Sequence, residues 1–90
     1  MEARLREKTD QYEGMLATAL ADVECTGADR EAAVQVLEMA RAYLDDGRHF
    51  RDQDDPVNAL AAFSYGHGWL DAGIRCGVLV ANDSSYPGCV

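Results

Sequence analysis

"ALAAFSYGHGWLDAG" occupies residues 59–73 and carries three glycines, Gly66, Gly68 and Gly73, within a pattern that otherwise reads as helix. Glycine in a helix interior is disfavoured by about 1 kcal/mol relative to alanine, so the segment needs a packing reason for holding them. On a helical wheel, Ala59, Gly66 and Gly73 fall seven residues apart with Ala62 beside them, a strip almost bare of side chains. Tyr65 and Trp69 stand on one side of the strip, and Phe63, Leu70 and Ile74 on the other. The far side carries Ser64, Asp71 and Arg75, with His67 at its border and Gly68 among them. The bare strip predicts close approach by neighbouring helix backbone. Burying one or two large flanking side chains, at about 1.5–3 kcal/mol each, offsets the lost helix propensity. The seven-residue repeat also suits the shallow crossing of helix bundles. A competing reading ends the helix at Gly66–Gly68 and puts His67 on a loop. The apolar pattern opposes it, continuing in phase from Leu60 through Leu70 to Ile74.

Working outward, Asp55-Pro56 is a helix start: aspartate accepts from free N–H groups, and proline suits the first helical position. A third helix is therefore predicted from residue 56 to about 80. Upstream, Ala32, Val36, Met39, Ala40, Tyr43, Gly47 and Phe50 share one face of a second helix over about 30–52. The short "DQDDP" link makes helices two and three antiparallel neighbours. Leu5, Tyr12, Leu16, Ala19 and Val23 form the stripe of a first helix over about 4–24. Thr26 and Asp29, three apart, resemble a capping pair for helix two. No run of four or more residues alternates as a strand, and "ANDSSYPGCV", residues 81–90, reads as a flexible tail. The expected architecture is an all-α, antiparallel up-and-down three-helix bundle forming a single domain over residues 1–80.

The chain has 90 residues, 48% of them apolar, enough for one small core. No secretory signal pattern opens it, and its most apolar stretch is too short to cross a bilayer, so a cytoplasmic protein without membrane contact is expected. Sixteen acidic residues against eight basic ones give a net charge of −8. That balance repels phosphate backbones and disfavours nucleic acid as a direct ligand. Scarce lysine amid abundant aspartate and glutamate also suits a proteome in high salt, and a halophilic source is the expectation. The three cysteines, Cys25, Cys76 and Cys89, show no C-x-x-C spacing. Cys25 and Cys76 are expected to be small buried apolar groups, with Cys89 in the tail.

"ALAAFSYGHGWLDAGIRCGVL", preceded by an acidic turn and a helix containing "ARAYLDDGRHF", resembles the archaeal domain-of-unknown-function family 357 over roughly residues 9–79. The pattern lies in Ala59 to Ala62, Ser64, Tyr65, Gly68, Leu70, Asp71, Ala72 and Gly73. The resemblance implies a compact three-helix bundle and an archaeal origin, and it implies no activity.

Ser64, His67 and Asp71 suggest a hydrolase triad by composition, but they stand along one ridge of one helix. A serine nucleophile needs base, carboxylate and oxyanion donors converging from different directions. An outer polar stripe of Ser64, His67, Asp71 and Arg75 is the plainer reading, with Asp71 and Arg75 paired one turn apart. His67 with Asp71, or Asp45 with His49, would supply two metal ligands each, and a zinc site wants three or four. No metal or cofactor is therefore expected. Tyr65 and Trp69 either close onto a neighbouring helix as core or, with Gly68, stay outside to bind. The leading expectation is a non-catalytic module that contacts a protein partner or itself through Tyr65, Gly68 and Trp69. Ranked behind it are an accessory role in an RNA-containing assembly, using Arg41, Arg48 and Arg51, and an unrecognised hydrolase.

Overall fold

The computed structural model describes residues 2–82. Three helices run up and down: α1 (Glu2–Asp22), α2 (Arg30–Asp52) and α3 (Pro56–Arg75). Two short strands, β1 (Val23–Cys25) and β2 (Leu79–Ala81), pair antiparallel with Glu24 opposite Val80.

Local chemistry sets each boundary. Asp29 alone is the N-cap of α2, its carboxylate accepting from the Ala32 N–H at 3.0 Å. Thr26 is no part of that cap. Its hydroxyl donates to the Gly77 carbonyl at 2.6 Å, and its N–H reaches the Val78 carbonyl at 3.0 Å. Asp55 caps α3 by accepting from the Asn58 N–H at 3.2 Å, with Pro56 in the first turn. The turn before it holds Asp54 at a φ of 60°, a left-handed conformation that aspartate tolerates better than most residues.

The expected end of the third helix near residue 80 is wrong by five residues: α3 stops at Arg75. Gly77, at a φ of 81°, turns the chain left-handed, and its N–H donates to the Ile74 carbonyl at 3.1 Å. The Val78 N–H donates to the Gly73 carbonyl at 3.0 Å. Together these bonds form a Schellman motif, which satisfies the last free carbonyls of a helix. Val78 to Ala81 then turn back instead of continuing the helix. The first helix likewise runs over Glu2–Asp22 rather than 4–24, and Val23 and Glu24 belong to β1. Ala81, assigned by sequence to the tail, pairs with Val23, and the Asn82 N–H reaches the Asp22 carbonyl at 2.9 Å. The remainder of that expected tail, Cys89 included, lies outside the described residues.

The core lies where all three helices meet. Leu16, Phe63, Leu70 and Leu79 are fully enclosed, joined by Ala33, Ala40, Leu44, Ala59 and Ile74. The bare strip of α3 faces inward as expected: Ala59, Ala62, Gly66 and Gly73 are all buried. A Cβ on Gly66 would lie 2.6 Å from Leu16 Cδ2 and 3.3 Å from Tyr43 Cβ, so both other helices press on that position. A Cβ on Gly73 would lie 2.9 Å from Leu79 Cδ1 and 3.0 Å from Val36 Cγ1. Gly47 on α2 is tighter still, since a Cβ there would overlap the Phe63 ring. Cys25 and Cys76, expected inside, are exposed; they sit on β1 and at the C-cap of α3, at the edge of the core.

Candidate functional site

Helix α3 has one wall in and one wall out. Phe63, Leu70 and Ile74 are buried, whereas Tyr65 is 63% and Trp69 39% exposed. The alternative that placed Tyr65 and Trp69 in the core therefore falls. On their side of the helix, Tyr43 of α2 meets Tyr65 with ring centroids 5.6 Å apart. Between Tyr65 and Trp69 the surface sinks over Gly68, where a Cβ would meet nothing within 4 Å. Ser64, Tyr65, Gly68, Trp69 and Ala72 line this shallow hollow, which lies wide open to solvent. A second depression, between α2 and α3, begins at Tyr65 and is lined also by Tyr43, Phe50, Ala61 and Ala62, with Asp46 and Asn58 at its polar margin. The two share Tyr65, so an apolar surface extends along the outer margin of α3.

The polar stripe is arranged differently from a catalytic site. The Ser64 hydroxyl donates back to the Leu60 carbonyl at 2.8 Å, one turn earlier on its own helix. The Asp71 carboxylate accepts from Arg75 Nε at 3.0 Å. His67 is half-buried, and its buried Nε2 has no hydrogen-bond partner. Burial pushes the His67 imidazole below its ordinary pKa of 6.5, and nearby Asp71 opposes the shift only in part. The structure thus keeps these residues on adjacent turns without bringing serine, imidazole and carboxylate together. Among the described residues, no three His, Cys, Asp or Glu side chains gather where they could hold a metal ion.

Arg48 and Arg51 of α2 are drawn into ion pairs with α1, whereas Arg41 is exposed. Arg48 Nε lies 2.7 Å from Glu13 Oε2, and Arg51 also pairs with Glu13 while standing 3.7 Å from Asp10. Arg48 and Arg51 thereby tie α2 to α1, which blunts them as a surface for phosphate. Sequence reasoning assigns Glu13 no role, because it lies on α1 and its partners are on another helix. Thr9 escapes it for the same reason. It is buried, donating to the Leu5 carbonyl at 2.8 Å with the Pro56 carbonyl 3.3 Å away. Among the described residues no helix is long and apolar enough to cross a membrane.

Residues 11–79 match the family described as "Protein of unknown function (DUF357)". The crystal structure of a DUF357 protein from Archaeoglobus fulgidus superposes with a TM-score of 0.76 at 22% identity, covering 89% of this chain and 96% of that one. At that identity the likeness bears on the fold alone. No curated protein matches the sequence.

Proposed function

The chain belongs to the DUF357 family of proteins of unknown function, and we propose that it is a non-catalytic, cytoplasmic module that works by docking polypeptide against the outer face of α3. The observation that carries this reading is the hollow over Gly68, flanked by the exposed rings of Tyr65 and Trp69. Aromatic side chains bring large contact area with few rotatable bonds and are frequent anchors of binding energy. An unencumbered glycine beside them lets an incoming backbone or side chain sit close. A glycine on an outer helical face lowers helix propensity without any gain in internal packing, and docking supplies the missing gain. The tethered Ser64 hydroxyl and the paired Asp71 support a non-catalytic reading. The low lysine content and net charge of −8 support a protein adapted to high salt.

The test is Trp69→Ala in the full chain, with association measured in high salt and helicity by circular dichroism. The variant is expected to lose association with its polypeptide ligand while keeping its helical signal. Undiminished association, or an unfolded variant, would remove Trp69 from the docking face and overturn the reading.

A further inference from the structure

We propose that the occupant of this face is a second copy of the same chain, its α3 laid antiparallel about a two-fold axis passing between Gly66 and His67. The inference rests on the docking reading above and names its partner. Asn58, Ala61, Tyr65, Gly68, Ala72 and Arg75 recur at alternating three- and four-residue steps, and all six are exposed. That is a complete heptad seam facing outward, separate from the buried strip that packs the bundle.

Turning this seam against itself produces matched layers. In an antiparallel pair, Tyr65 of one copy falls opposite Gly68 of the other, and symmetry repeats that layer. The largest side chain of the seam thus meets the residue that has none, over the hollow lined by Ser64, Gly68, Trp69 and Ala72. Ala61 falls opposite Ala72, small against small. Asn58 falls opposite Arg75. A parallel pair would instead set Tyr65 on Tyr65 and leave Gly68 facing Gly68 across a void.

Charge selects the same arrangement. Between Ala61 and Ala72 the seam positions carry no charge, although the chain as a whole carries −8, so two acidic molecules can meet there. At the start of α3, the Asp55 carboxylate holds the Asn58 side-chain amide at 2.7 Å. At the far end, the Arg75 side chain is 77% exposed, its Nε held by Asp71 of the same helix and the rest of its guanidinium toward solvent. Antiparallel pairing brings each Arg75 to the acidic start of its neighbour's α3, whereas parallel pairing brings Arg75 to Arg75.

Sedimentation of the full chain in about 1 M salt, where charge repulsion is screened within about 3 Å, tests the pairing. The chain is expected to sediment at twice its 9.8 kDa mass. Gly68→Leu and Tyr65→Ala each change an exposed position, so both are expected to keep their helical signal while associating at least roughly tenfold more weakly. Mixed in equal amounts, they should recover the two-chain mass. The leucine introduced in one variant then faces the alanine introduced in the other, and the remaining Tyr65 faces an intact Gly68. A monomeric wild type, variants that associate as well as wild type, or a mixture that stays monomeric would overturn the pairing. A monomer that still captures another protein in a Trp69-dependent manner would overturn the pairing while leaving the docking reading standing.

Discussion

Gly66 and Leu16 meet where α1 crosses α3, so close that a Cβ on residue 66 would lie 2.6 Å from Leu16 Cδ2. Two residues further along, Gly68 faces open space. One helix therefore uses glycine in two ways: inward, to let the bundle close, and outward, beside exposed aromatic rings.

Gly47 and Phe63 form the tightest such contact between α2 and α3. Gly47→Ala is expected to destabilise the fold by about 1–3 kcal/mol, because the ring must move within a filled core. Urea unfolding should show a lower midpoint with little change in slope. Shrinking the opposing side chain in Gly47→Ala/Phe63→Leu should make the pair less damaging than the sum of its single changes.

His67 provides a pH signature. Its folded-state pKa is depressed by burial, so the unfolded chain binds the proton more readily. Its contribution is therefore fully present above the ordinary value of 6.5 and is lost as pH falls from there through the depressed folded value. Thermal unfolding between about pH 7.5 and 5 should show this loss, and His67→Gln should flatten that part of the profile. A His67→Gln profile parallel to wild type across this range would contradict the assignment.

Glu13, with a side chain only 15% exposed, serves both Arg48 and Arg51. Glu13→Ala is expected to cost about 1 kcal/mol, the scale of a partly exposed ion-pair cluster. Equilibrium unfolding of Glu13→Ala, Arg48→Ala and the double variant would measure the coupling. A coupling indistinguishable from zero would mean that the pair is only incidental to the α1–α2 contact.

The legible parts of the fold are those governed by local chemistry or by an uninterrupted period. The second helix, expected over 30–52, spans Arg30–Asp52, because its apolar face never loses phase. Asp55-Pro56 marks the start of α3, because capping needs only neighbouring residues. The end of α3 misleads because Val78, Leu79 and Val80 prolong the apolar run; "CGV" is the available stop signal, with Gly77 in the left-handed position. The β1–β2 clasp is invisible in the sequence because three-residue strands have no measurable alternation. At the candidate site, the wheel places Tyr65, Gly68 and Trp69 together, but a wheel does not say how many neighbours cover a face. Their exposure follows from the bundle having three helices, which cover the inner side of α3 and leave its outer margin to solvent. Gly47 falls on the inward face of its helix by periodicity, but its need to be glycine arises from Phe63 on another helix.

The two roles of glycine are separated most directly by comparing the melting temperatures of Gly66→Ala and Gly68→Ala, at a concentration low enough to keep the chain monomeric. Gly66→Ala should melt lower, because displacement of Leu16 and Tyr43 outweighs the propensity gained. Gly68→Ala should melt higher, because it gains about 1 kcal/mol of helix propensity in open space. Shifts of the same sign in both variants would contradict the division of α3 into a packing strip and a docking face.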